Sequence, residues 1–128
     1  MQKHFQIELP WPHKDLSPNA RICYMALARL RKEAKNTAFM FARKAMHASK
    51  VGHVRPAGKI NVQLVPVPPT RASQDEDNLL AKMKAALDGI ALAMKVDDKK
   101  FHFLEQVWLP AKKPGRVIVR VSWEEEDE

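Results

Sequence analysis

Apolar and polar positions alternate weakly from Gln6 to Leu9, and the run stops at Pro10. A period of two separates the faces of a strand, so a short strand is expected there. Pro10, Pro12 and Pro18 punctuate the next segment. Prolines at that density exclude a helix interior, which leaves a loop. From about Met25 to Ala48 the period changes. Leu27, Leu30, Ala34, Ala38, Phe41 and Ala45 recur at spacings of three and four, the pattern of a helix with one apolar seam. Arg29, Lys32, Lys35, Arg43 and Lys44 fall largely off that seam and make the rest of the helix basic.

Gly52 to Gly58 is expected as a loop. Lys59 to Val65 alternates again, with Ile60, Val62 and Leu64 on one face, and predicts a second strand. A loop follows from Pro66 to Gln74, then a helix from Asn78 to about Ala93, then a polar turn from Val96 to Lys100. His102 to Leu109 and Arg116 to Trp123 predict two more strands. The intervening Pro110 to Gly115 suggests a hairpin turn between them. The order is β-α-β-α-β-β. It implies an α+β fold, a mixed sheet packed by two helices, in one domain over residues 1–123. Residues 124–128 form an acidic tail, most simply a solvated end.

Composition sharpens this picture in two ways. Apolar residues at 45% are enough for a core in a chain of 128 residues. The net charge of +7 understates the basic character of the body. Without the five acidic residues at the end, 22 basic side chains face 10 acidic ones, a balance of +12. Such a charge suits a polyanionic partner. Cys23 is the only cysteine, so no intrachain disulfide forms. No apolar run has the length of a signal peptide's core or of the roughly 18 residues of a membrane span. A soluble, cytoplasmic domain with no membrane partner is expected. His4, His13, His47, His53 and His102 share no ligand spacing, so a zinc site is not expected.

The candidate chemistry lies in Asp75-Glu76-Asp77-Asn78. Two carboxylates two residues apart point the same way in extended chain. At the entrance to a helix they suit a hard cation such as magnesium, which binds through carboxylate oxygens and water. Asp77 is also a plausible helix cap. Along the helix, Lys84 sits roughly 700° from Asp77 and Asp88 roughly 1100°, each about 20° from whole turns. The three share one line, roughly opposite Leu79, which with Met83, Leu87, Ile90 and Met94 forms the apolar side. Asp97-Asp98 follows in a turn, and one of the pair would complete a metal site if the chain folds back.

These stretches resemble a known family. Asp75-Glu76-Asp77-Asn78-Leu79, then Lys84-Ala85-Ala86-Leu87-Asp88, then Val96-Asp97-Asp98, are similar to the RusA family of Holliday junction resolvases (crossover junction endodeoxyribonucleases). Leu9-Pro10-Trp11-Pro12 and Leu16-Ser17-Pro18-Asn19-Ala20-Arg21 resemble that family's opening motif. The likeness runs from about Ile7 to Trp123. It implies a homodimeric, magnesium-dependent endonuclease of phage or prophage origin, which binds four-way DNA junctions and makes paired symmetric nicks. It implies one or two Mg2+ per active site and no small-molecule cofactor. Asp75, Asp77 and Asp98 would hold the metal and Lys84 would assist. Asn19, Arg21 and Arg71 would contact DNA.

The chain departs from the pattern at three places. The family's usual lysine position, one turn after the second Asp, is Ala81 here. Lys84 lies a turn further on, and Lys82 competes with it but stands about 140° round the helix from Asp77. The basic run before the first Asp is reduced to Arg71 and Gln74. Where the family carries Pro-Pro, this chain has Pro12-His13. Two other function classes fit the same residues: a DNA-binding accessory protein without catalysis, and a nuclease for forks or flaps.

Overall fold

The computed structural model describes residues 1–72 and 75–127. Gln74 of the expected loop and Glu128 of the expected tail lie outside the described residues. The chain forms β1 (Gln2–Pro10), α1 (Tyr24–Ala48), β2 (Ile60–Val67), α2 (Glu76–Lys82), α3 (Lys84–Met94), β3 (Phe101–Phe103) and β4 (Arg116–Glu124). Short 3-10 turns cover Lys14–Leu16 and Asp98–Lys100. The fold is α+β, with one mixed sheet in the order β1-β4-β2-β3.

The sheet is built on period-two burial. Phe5, Ile7 and Leu9 of β1 point inward while Gln6 and Glu8 point out. β4 pairs antiparallel with both β1 and β2, which stacks Phe5, Val121 and Val62 in one row. Ile7, Val119 and Leu64 make the next row. Such cross-strand rows are the unit that stabilises a sheet. α1 and α3 pack together over this apolar face. α1 buries Ala38, Ala42 and Met46. α3 buries Ala86, Leu87, Gly89, Ile90, Ala91, Ala93 and Met94. The small residues set a close approach. A Cβ on Gly89 would overlap the backbone carbonyl of Lys35 in α1.

Several expectations change. The hairpin between the last two strands does not form. β4 inserts between β1 and β2, and β3 pairs parallel with β2 instead. The strand expected over His102–Leu109 is regular only to Phe103. Beyond it the chain still follows β2, with the Leu104, Val107 and Leu109 amides donating to the carbonyls of Val62, Leu64 and Pro66. The second helix is two helices, broken at Met83, so the described residues form three α-helices rather than two. The seam of α1 holds in part: Ala38 is buried and Leu27, Leu30, Ala34 and Ala45 are half-buried, but Phe41 is exposed and Ala42 and Met46 are buried instead.

The tail is tied down over its described part. Glu124 is the last residue of β4, one beyond the expected domain boundary, and accepts from the Met1 amine at 2.8 Å. Glu125 accepts from the Trp123 indole at 2.6 Å, and the Glu126 amide donates to the Arg55 carbonyl. No helix among the described residues is long and apolar enough to cross a membrane.

Candidate functional site: an acid and lysine cleft

Helix α2 begins where an aspartate can cap it. The side chain doing so is Asp75 rather than Asp77. Its Oδ1 accepts from the Asp77 and Asn78 amides at 2.9 and 3.2 Å, satisfying two helix-end donors. Asp77 and Glu76 occupy the first turn, where the helix dipole favours negative charge. Asn78 Oδ1 accepts from Ser17 Oγ at 2.9 Å. That bond fastens the opening loop to the start of α2. It sets the exposed Asn19 and Arg21 on the same loop. In sequence, Ser17 stands out only as part of the opening motif. A serine and an asparagine 61 positions apart leave no local signal of their pairing.

A cleft of about 870 Å³ opens between α1 and the α2–α3 pair. Asp77, Lys84 and Asp88 line it, so the line expected along one helix survives the break at Met83. Lys84 Nζ donates to Asp88 Oδ1 at 2.9 Å and to Asp98 Oδ2 at 2.7 Å. The chain does fold back, and it is Asp98 that reaches Lys84. Asp97 instead caps the 3-10 turn, accepting from the Lys99 amide at 2.9 Å. The hydrogen bonds it donates to Asp98, then to Asp88, hold the Lys84 ammonium above the usual lysine range. The same contact with Lys84 holds the Asp98 carboxyl below the usual carboxylate range.

Lys82 takes a different place. Its ammonium lies 5.6 Å from the centroid of the Trp11 ring, a cation–π arrangement, and burial lowers its pKa. Trp11 also meets Trp108 edge-on. Lys82 is thus packed into the wall of the cleft, while Lys84 spans two carboxylates.

The structure therefore brings Lys84, Asp88 and Asp98 into contact and places Asp77 in the same cleft. Asp75 spends one oxygen on its cap. Arg71 is exposed on the loop before α2. Among the described residues, no three of His, Cys, Asp and Glu stand together closely enough to hold a metal ion. Asp88 and Asp98 already share one positive charge, and both offer carboxylate oxygens. Sequence reasoning missed Arg31, which faces Asp77 and Lys84 across the cleft beside Lys32 and Lys35.

Fold and site together define a small α+β protein with a cleft of mixed acids and lysines on one helix face. No family model matches the chain. An uncharacterized protein of Xylella fastidiosa (strain Temecula1 / ATCC 700964) is 34% identical over 116 residues, which cover 91% of this chain and 74% of that protein. The chain belongs to the same family as that protein.

Proposed function

We propose that the protein is a magnesium-dependent endonuclease of the RusA type that resolves four-way DNA junctions by paired nicks. The observation that carries this reading is the Lys84 ammonium held between Asp88 and Asp98 in the cleft that Asp77 lines. Asp75 (through the oxygen not used in capping), Asp77 and Asp98 would hold one or two Mg2+. Bound magnesium would supply an activated water and neutralise charge building on the phosphate. Lys84 presents its ammonium to the phosphate or to the departing oxygen, where a fixed positive charge is worth most. Asp88, one turn along α3, keeps Lys84 aimed into the cleft. Asn19, Arg21 and Arg71 grip the DNA backbone around it. The protein would work as a homodimer in the cytoplasm of a bacterium or an infected host, because a two-fold junction suits a two-fold enzyme.

Asp77→Asn tests the reading. The variant should bind a synthetic four-way junction normally and fail to nick it in magnesium. Nicking at the wild-type rate would remove Asp77 from the mechanism. A second reading has one observation in its favour: no three acids converge among the described residues. On that reading the protein binds branched DNA without cutting it. Magnesium-dependent nicking by the wild type decides between the two. Rates on junction, fork, flap and linear duplex then fix the preferred substrate.

A further inference from the structure

We propose that Arg31, Lys32 and Lys35 of α1 form a phosphate-binding wall, so that a nucleic-acid backbone lies in the cleft between α1 and the α2–α3 pair. The proposal deepens the nuclease reading and rests on it for the class of ligand. All three cations line the cleft, and Asp77, Lys84 and Asp88 stand on its other side. Arg31 and Lys35 are one turn apart on the same helix face, and like charges at that spacing weaken a helix. Among the described residues, none of the three makes a hydrogen bond or ion pair that would offset this repulsion. An anion in the cleft would.

The position of this wall is set by packing. Gly89 lets the α1 backbone at Lys35 come against α3, one residue from Asp88. Lys35 consequently borders two depressions. One is the cleft with Asp77 and Lys84, and the other is lined by Asp88, Asp97 and Asp98. A backbone held along Arg31, Lys32 and Lys35 therefore passes the carboxylates and Lys84 instead of crossing the far end of α1. Arg43 and Lys44 lie about 12–20 Å further along that helix and do not border the cleft. A phosphodiester chain fits better than an acidic polypeptide. Its repeating charge matches a line of cations, and on the nuclease reading its phosphorus is the atom that an activated water would attack beside the opposite wall.

The test is binding of a fluorescent four-way junction and a linear duplex across a salt series, in EDTA. It compares the wild type with Arg31→Ala/Lys32→Ala/Lys35→Ala and with Arg43→Ala/Lys44→Ala. Each lost phosphate contact lowers the slope of log affinity against log salt by about 0.9. The triple variant should lose a slope of about 2–3 by that rule and at least tenfold in affinity at low salt. The distal pair should change the slope by less than one contact's worth. Arg31→Gln/Lys32→Gln/Lys35→Gln, with circular dichroism on all variants, separates lost charge from lost fold. An unchanged slope in the folded triple variants overturns the wall. So does an equal loss in the distal pair, or displacement of the junction by polyglutamate at equal charge concentration. If the triple variant loses binding but the wild type never nicks DNA in magnesium, the wall stands and the nuclease reading fails. If the wild type nicks junctions and the triple variant binds as before, only the wall fails. If the wild type binds no nucleic acid, both fail.

Discussion

At the scale of single residues, Asp75 carries two duties that ordinary mutagenesis would confuse. It caps α2 through Oδ1, and it is a candidate metal ligand. Asn is as good a cap as Asp, whereas Ala is not. Asp75→Asn should therefore keep thermal stability near wild type while removing magnesium-dependent nicking. Asp75→Ala should lose nicking and also about 1 kcal/mol of stability, measured by chemical denaturation. If Asp75→Asn nicks normally, the cap is the residue's whole role. The contact between Lys84 and Asp98 makes a second residue-level prediction. In metal-free protein, carbon-detected NMR titration should find the Asp98 carboxyl below the usual carboxylate range, and Lys84→Gln should bring it back up. Because Asp98 is depressed when folded, its contribution to stability is present above the ordinary carboxylate pKa and fades as pH falls through the lowered value. Lys84 is raised, so its contribution is present below the ordinary lysine pKa and fades as pH climbs through the raised value. The pair thus persists throughout the neutral range. Both side chains are largely solvated, which keeps its worth small.

Among elements, legibility followed the range of the interaction that decides each one. Most of α2 and α3 falls in the single helix expected from Asn78 to about Ala93, because nothing in Lys82-Met83-Lys84 breaks a 3.6 period. The break comes from φ and ψ at Met83, where the helix stops and restarts. The apolar stripe of α3 was legible, and so was the alignment of Lys84 with Asp88, since both depend on helical spacing alone. The partnership of β4 was not. A Pro- and Gly-containing loop between two β-rich runs signals a hairpin, but here the decisive contacts are rows of Val and Leu from strands over fifty residues away. Likewise, Asp97 and Asp98 were indistinguishable in sequence. One caps a turn and the other meets Lys84, a difference set by where the turn docks. Gly89 looked like a mild helix weakener, and only the approach of α1 gives it a purpose. Gly89→Ala should push α1 from α3, costing about 1–3 kcal/mol as overpacked sites do. Its melting temperature should fall although alanine favours helix. A rise instead would show that the two helices have room to spare.

For the molecule as a whole, the α+β class and mixed sheet were readable from period changes and prolines, while the strand order was not. The sheet ends at β3, and the side chains of Phe103, Leu104, Val107 and Leu109 along that edge are exposed. An apolar edge of this kind is normally covered. The proposed homodimer would cover it. Light scattering should give about twice the 14.6 kDa of one chain, and Leu104→Lys/Val107→Lys should shift the protein toward monomer with its fold intact. A monomeric wild type at micromolar concentration would count against a two-site resolvase. β4 comes last of the described strands and lies between β1 and β2. During synthesis, β1 has no strand partner, and β2 has only the short β3, until Arg116–Glu124 has left the ribosome. The nascent chain must hold β1, β2 and the helices packed on them unfinished until that strand arrives. Its acquisition of structure is therefore expected to be late and abrupt, with a premature stop before Arg116 yielding no partial domain.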